Sequence, residues 1–173
     1  EIREVPAATE TFIKRRPSAA GARTTQRVTV DDAVVVCTRF ANGAIGTLAA
    51  SRFALGRKNH NTFEINGSRG SLTFNLENLN VLRFYSAEDS GPSEGFREII
   101  AISKGKHPYA DNWWGDGHII GYEHTHTHSV ADFLRSLVSR KKIRPDFRDG
   151  LRNQAILDTV VKAAQSRRWV KAF

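Results

Sequence analysis

Residues 32–53, which read DAVVVCTRFANGAIGTLAASRF, decide the fold. The first half is a run of apolar and β-branched residues, which is typical of a strand. Asn42-Gly43 supplies the positive φ that a tight hairpin turn needs, and apolar sequence then returns. The segment therefore predicts a β-hairpin. The small residues of its second strand, such as Gly46 and Ser51, predict that a helix or a second subunit packs very close to it.

Shorter strands are expected on both sides of this hairpin. Proline and glycine clusters separate short extended segments before it, and turn signals separate four more segments after it. Strands joined by such short turns form a largely antiparallel sheet. The predicted strands are 1–5, 11–15, 62–65, 71–75, 79–85 and 96–102.

The hydrophobic period changes in the last third of the chain. Apolar residues spaced three and four apart from Val130 to Val138 predict a helix that Thr127 or Ser129 caps and that Pro145 follows. A second helix is predicted to start at Asp146 or Asp149, and a last short strand at 169–173.

Strands first and helices last predict an α+β fold with one open, largely antiparallel sheet and helices on one face. We expect one domain over residues 1–173. Because alternation is weak in VVVC and GTLAA, both sheet faces look apolar. The uncovered face is therefore predicted to be buried in a homo-oligomer, most simply a homodimer.

Composition excludes several classes of function. The net charge is +8, but the basic residues are scattered and no aromatic-interleaved RNA-binding motif is present, so we expect no nucleic-acid partner. No segment approaches the roughly 20 apolar residues of a membrane span. The single cysteine, Cys37, fits a reducing, cytoplasmic location and is expected to be a small core residue.

The stretch 113–133, WWGDGHIIGYEHTHTHSVADF, is the first candidate site. It contains two of the three Trp and four of the six His residues, and it leads from a Gly-rich loop into a helix. Its Trp pair suits stacking on a sugar or anchoring an interface. In a strand, His124, His126 and His128 would share one face and could bind zinc. In a helix only His124 and His128 share a face, so we expect no metal.

The loop RKNHN at 57–61 is the second candidate site. Its basic and amide side chains suit a phosphate, carboxylate or polyol ligand, but they equally suit a solvated turn. No GxGxxG or GxxxxGK[ST] motif occurs, so the chain shows no nucleotide-phosphate loop.

Four segments together resemble a known family. Residues 30–52, 56–72, 107–134 and 144–170 are similar to the C-terminal half of oxidoreductases of the Gfo/Idh/MocA family. The Pro-Asp-Phe-x-Asp-Gly run at 145–150, followed by a helix and Trp-Val, is the most specific part of the resemblance.

The resemblance implies that this chain is a substrate-binding and oligomerisation domain. Family members carry NAD or NADP on an N-terminal Rossmann domain, together with a catalytic lysine in a Glu-Lys-Pro motif and an Asp-x-x-x-His pair. None of these occurs here, and the chain has no Met, so we expect a fragment that has no catalytic residues and binds no cofactor alone.

A sugar or polyol substrate is implied by the same resemblance. The implied substrate-binding residues come from the loop and from the 113–133 stretch: Arg57, Asn59, His60, Trp114, His118, Tyr122 and His124. The alternative is a stand-alone, non-catalytic binding or dimerisation module. A basic nucleic-acid binder is a third hypothesis, which salt-sensitive binding of duplex DNA would support.

Overall fold

The computed structural model describes all residues, Glu1–Phe173. Strands dominate the first two thirds of the chain, and two long helices follow. The strands in chain order are β1 (Ile2–Val5), β2 (Ala7–Glu10), β3 (Arg15–Pro17), β4 (Thr25–Arg27), β5 (Ala33–Phe40), β6 (Ile45–Ser51), β7 (Thr62–Gly67), β8 (Gly70–Asn75), β9 (Val81–Ser86), β10 (Arg97–Ile100) and β11 (Val170–Lys171). The helices are α1 (Tyr122–Ser139) and α2 (Phe147–Ser166), and a short 3₁₀ helix spans Leu76–Asn78.

The chain divides into two compact units. One consists of Glu1–Leu55 with Arg144–Phe173, and the other of Gly56–Ile143. Every strand pairing in both units is antiparallel. The α+β class is confirmed, with the strands distributed over a five-stranded, a four-stranded and a two-stranded sheet rather than over one.

The predicted hairpin is the centre of the five-stranded sheet. β5 pairs with β6 from Ala33 to Arg39 along one edge, and with β1 and β2 in succession along the other. Gly43 takes the turn at φ 87°, as the Asn-Gly step predicts. The close approach to Gly46 comes from its own partner strand, because a Cβ there would lie 3.0 Å from Thr38 Oγ1.

Helix α2 covers one face of this sheet. Asp146 caps it by accepting the backbone N–H groups of Arg148 and Asp149, which confirms one of the two predicted starts. The core of the unit forms where α2 meets the sheet, and its buried members are Val5, Val36, Val160 and Ala163.

The other face of the sheet carries no helix of this unit. Successive strand residues point to opposite faces, so Val36 and Thr38 are buried while Val35 and Cys37 are exposed. The expectation that Cys37 is a core residue is therefore wrong. We call this surface the open face, and its residues are Ala8, Val35, Cys37, Arg39, Ile45, Thr47 and Ala49.

The predicted strand at 11–15 is also wrong. The carboxylate of Asp32, itself buried, accepts the backbone N–H groups of Phe12 (2.8 Å) and Ile13 (3.0 Å). These two amides are thereby satisfied without a partner strand. β2 consequently ends at Glu10, and β3 begins only at Arg15.

The second unit contains the four-stranded sheet β10-β9-β8-β7 and helix α1. Gly70 starts β8 at φ 148°, where a Cβ would come within 2.2 Å of the Tyr85 carbonyl oxygen, so only glycine fits. One face of this sheet is apolar, with Phe63 stacked on Phe74. The opposite face is largely polar, with Thr62, Thr73 and Arg83 among its residues.

Helix α1 begins earlier than predicted, at Tyr122 rather than after Thr127 or Ser129. These hydroxyls do not cap the helix, because Thr127 donates to the Glu123 carbonyl and Ser129 to the Thr125 carbonyl inside it. The helix ends at Ser139, ahead of Pro145 as predicted, and Arg140 directly after it takes a left-handed conformation. Neither helix is long and apolar enough to cross a membrane.

Candidate functional site

The candidate loop at 57–61 is held in place by the carboxylate of one residue, Glu77. Glu77, in the short 3₁₀ helix, accepts the backbone N–H groups of Lys58 and Asn59 on Oε1, both at 3.1 Å. Arg57 lies 4.0 Å from the other oxygen of Glu77. The structure therefore brings Arg57, Asn59 and His60 together around an acidic anchor.

The same contacts set the charge of that anchor. The hydrogen bond from the Lys58 N–H holds the pKa of Glu77 below its ordinary value, although partial desolvation opposes this. The Asn59 N–H and the positive potential of His60 and Arg57 lower the pKa of Glu77 further. Glu77 thus stays ionised at neutral pH and continues to order the loop.

The second candidate region is built around the start of α1. Trp113 donates its Nε1–H to His128 Nε2 at 2.6 Å and meets the ring of His124 edge-on, with centroids 4.3 Å apart. Tyr109 stacks on His128 at 4.7 Å and donates its hydroxyl to Asp132 at 2.7 Å. We call these five residues the aromatic–imidazole cluster.

Hydrogen bonds assign the protons of both imidazoles in this cluster. His128 accepts on Nε2, so its proton lies on Nδ1. His124 accepts the Gly121 N–H on Nδ1 at 2.9 Å, so its proton lies on Nε2. The 3.4 Å approach of Glu123 to His124 Nδ1 is consequently not an ion pair, because that nitrogen carries no proton.

Tyr109 and Asp132 perturb each other. The hydrogen bond raises the pKa of the Tyr109 hydroxyl and lowers the pKa of the Asp132 carboxyl, since it favours the phenol and the carboxylate. Arg135 lies 3.1 Å from Asp132 and favours the carboxylate as well. At neutral pH the pair is therefore a phenol donating to a carboxylate.

The remaining predicted residues lie outside this cluster. Trp114 is 69% exposed and available for stacking. His118 is exposed, with Nδ1 3.0 Å from the Gly115 carbonyl oxygen. Tyr122 meets His126 edge-on, with ring centroids 5.0 Å apart, along α1. The helix separates His126 from His124 and His128, and no group of three potential ligands in the chain is arranged to hold a metal ion.

Of the residues implied by the resemblance, only His124 belongs to the aromatic–imidazole cluster. Trp113, His128 and Asp132 lie in the candidate stretch 113–133 but were not among the substrate-binding residues that the resemblance implied, and Tyr109 lies outside that stretch. The helical spacing of His124, His128 and Asp132, each four residues apart, was the sequence signal that could have found the face of α1. Nothing in the sequence signalled the pairing of Tyr109 with Asp132, because they are 23 positions apart.

A nicotinamide dinucleotide does not fit the residues of this chain alone. Dinucleotide sites place the pyrophosphate on a Gly-rich turn between parallel strands and a helix N-terminus. Here the strands are antiparallel throughout, and the N-terminus of α2 is already occupied by the Asp146 carboxylate, which accepts the backbone N–H groups of Arg148 and Asp149. The chain offers no equivalent phosphate cradle.

Comparison with known protein families defines the class of protein. The C-terminal alpha/beta domain of an oxidoreductase family, Gfo/Idh/MocA, matches residues 7–172, so the chain belongs to this family. The resemblance seen in the sequence is confirmed.

Two matches to levoglucosan dehydrogenase, one in sequence and one in structure, give the comparison more detail. Levoglucosan dehydrogenase of Pseudarthrobacter phenanthrenivorans is 36% identical over 182 aligned residues, which cover 98% of this chain and 46% of that enzyme. A structure of levoglucosan dehydrogenase in complex with NADH and L-sorbose is 35% identical, with a TM-score of 0.92 over 100% of this chain and 45% of that one.

An oxidoreductase domain protein from Kribbella flavida is 43% identical, with a TM-score of 0.93 over 100% of this chain and 45% of that chain. The chain therefore spans less than half the length of these relatives.

Proposed function

We propose that this chain is the substrate-binding and oligomerisation part of an NAD(P)-dependent oxidoreductase that acts on a sugar or polyol. The observation that carries the proposal is the similarity, over 98% of the chain, to an enzyme named for levoglucosan. The cofactor would be held by a dinucleotide-binding domain, because this chain has no cradle for its phosphates. The single cysteine is compatible with the cytoplasmic location that belongs to this proposal.

The chemistry of the candidate region supports a polyhydroxylated substrate. Sugars are bound by aromatic stacking together with convergent hydrogen-bonding groups. Trp114 presents an exposed indole, and His124 carries its proton on Nε2, directed away from the bond to Gly121. Arg57, Asn59 and His60 add donors on a loop that Glu77 orders. No group of this chain is proposed to transfer hydride.

Variants of the assembled enzyme test the substrate role. The chain is joined to the dinucleotide-binding part of the P. phenanthrenivorans enzyme, and initial rates of NADH formation are measured against the sugar. We expect Trp114→Ala to raise the KM for sugar about tenfold, the loss of roughly 1.4 kcal/mol of stacking, with the KM for NAD unchanged. Arg152→Gln, on α2 and exposed, is the control. An unchanged sugar KM in Trp114→Ala would reject this role.

The open face supports the oligomerisation part of the proposal. Val35 is 55% exposed and stands between Ala8 and Ala49, and Ile45, opposite Arg39, is 80% exposed. A sheet face of this kind, with no helix of its own unit over it, suits burial against a second copy. The side chain of Arg39 is held in position on this face, because it pairs with Glu4 and its guanidinium lies 4.7 Å over the Trp169 ring.

Sedimentation velocity tests this interface. We expect the chain to associate, and Val35→Lys to shift it to the monomer because a lysine would be buried without a partner. Lys162→Gln, on the exposed side of α2, is expected to leave the mass unchanged. A Val35→Lys variant with the same mass as the parent chain would reject the open face as the interface.

A further inference from the structure

The polar face of the four-stranded sheet contains a concavity of about 330 Å³, the size of a small ligand pocket. It lies wholly in the second unit. Its polar lining comes from three strands, the 3₁₀ helix and the ordered loop. These side chains are His60, Thr62, Thr73, Asn75, Asn78 and Arg83.

Strand register explains why these groups converge. Thr62 stands opposite Asn75, and Thr73 stands opposite Arg83. Directly opposed residues of antiparallel strands share a face, and Thr73 and Asn75 share it because they are two positions apart. The Glu77 anchor then fixes the loop so that His60 reaches the same concavity.

Arg83 is the only permanent charge in the lining. It forms no salt bridge within 4.0 Å, although Glu98 is its register partner on β10 and Glu64 lies on the same row. Glu64 instead accepts a hydrogen bond from Asn66. The guanidinium of Arg83 lies 5.2 Å over the ring of Phe96, a contact that uses no N–H hydrogen bond and so leaves the N–H groups free.

The other polar groups of the lining suit hydroxyls. Asn75 uses its Oδ1 to accept the Glu77 N–H, so its NH₂ group remains available as a donor. Thr62 and Thr73 offer hydroxyls that both donate and accept, and Asn78 offers a complete amide. A single unpaired guanidinium beside amides and hydroxyls matches a ligand with one carboxylate and several hydroxyl groups.

We propose that this concavity, the Arg83 groove, binds a small polyhydroxy carboxylate such as a sugar acid, with Arg83 on the carboxylate and the Asn and Thr side chains on the hydroxyls. The proposal shares His60 with the substrate loop but does not rest on the proposed enzyme activity. It assigns a ligand to a sheet face to which the enzyme proposal gives no role.

Calorimetric titration of the 173-residue chain tests the groove. The probes are gluconate, glucose and acetate at one ionic strength. We expect saturable binding of gluconate, with glucose and acetate each at least about tenfold weaker, because each lacks one half of the recognised chemistry. Absence of gluconate binding, or glucose or acetate binding as tight as gluconate, would overturn the proposal.

Three variants locate the binding. Arg83→Gln is expected to weaken gluconate at least about tenfold, and Arg83→Lys, which keeps the charge but loses the planar fork, less than that. Arg69→Gln, an equal loss of charge at the opposite end of the β7–β8 hairpin, should leave binding unchanged. Equal weakening by Arg69→Gln would show unspecific charge attraction and reject the groove.

The chain carries out no turnover in this titration, so its failure is separate from a failure of the enzyme proposal. If gluconate does not bind, sugar-dependent NADH formation by the assembled enzyme would still support the enzyme proposal. Conversely, an inactive assembled enzyme leaves the Arg83 groove standing.

Discussion

Val36 and Val35 are consecutive residues of β5 with opposite surroundings, and replacing each by alanine tests how the first unit is held together. Val36 is 4% exposed and belongs to the core beneath α2, whereas Val35 lies on the open face and is 55% exposed. The two substitutions remove the same two carbons from the same strand. Any difference in stability therefore reports the surroundings and not strand propensity.

The expected cost of Val36→Ala follows from the burial of two methyl-sized groups. Their transfer from water contributes about 1.6 kcal/mol, at about 0.8 kcal/mol per carbon. A residual cavity adds up to about 1 kcal/mol, because Val5 and Ala163 are themselves fully buried and leave little freedom to collapse. The free energy of unfolding should fall by about 2–3 kcal/mol, and that of Val35→Ala by less than about 1 kcal/mol.

Urea unfolding followed by far-ultraviolet circular dichroism measures both variants. The comparison is made at a protein concentration where parent and variants have the same mass in sedimentation, so that association does not enter the difference. Equal losses in the two variants would refute the reasoning, since they would show that α2 does not distinguish the faces of β5.

Three further predictions follow from single contacts. Thr38→Val should raise the free energy of unfolding by about 1 kcal/mol, because the buried Thr38 Oγ1 has no hydrogen-bond partner. Thr159→Val should not raise it, because the Thr159 hydroxyl is hydrogen-bonded within α2. A gain in stability in both variants would contradict this reasoning. The hydrogen bond to Asp132 raises the pKa of Tyr109, so the stability that this bond contributes should be complete below about pH 10 and lost as pH rises through the higher folded pKa. The difference in melting temperature between parent and Tyr109→Phe should therefore shrink only in that alkaline range. A difference that shrinks near neutral pH would argue against the bond. The backbone N–H groups bonded to Asp146 lower its pKa, so the stability that this cap contributes should be present above about pH 3.9 and lost as pH falls through the lower folded pKa. The melting temperature of Asp146→Asn should therefore fall less steeply with acid than that of the parent. An identical acid profile in the two proteins would count against the cap.

The hairpin and the second helix could be predicted because their signals are local. Asn42-Gly43 sets the turn through backbone φ, and Asp146 caps α2 from within two and three residues. Such contacts depend on residues that are neighbours in sequence. They can therefore be predicted without knowing what the element packs against.

The errors concern signals whose outcome depends on the rest of the fold. Cys37 sits in an apolar strand, but which face of β5 is covered is decided by α2, more than a hundred positions later. The 11–15 segment has strand-like composition, but the distant carboxylate of Asp32 takes its amides. Thr127 and Ser129 are good capping residues that instead bond within a helix started upstream.

The candidate site divides in the same way. The loop at 57–60 was predicted from its own residue types, whereas its order comes from Glu77, 17 positions beyond His60. The Arg83 groove could not be read from the sequence, because strand register brings its members together. The seven substrate-binding residues implied by the family resemblance remain predictions.

The most direct test of the enzyme proposal is sugar-dependent NADH formation by this chain joined to the dinucleotide-binding part of the P. phenanthrenivorans levoglucosan dehydrogenase. The joined protein is first shown to be folded and to bind NADH, and a panel of sugars and polyols that includes levoglucosan and L-sorbose is then supplied with NAD. We expect turnover with at least one member of the panel. A folded, NADH-binding protein that turns over none of them would contradict the proposal and favour a non-catalytic binding module.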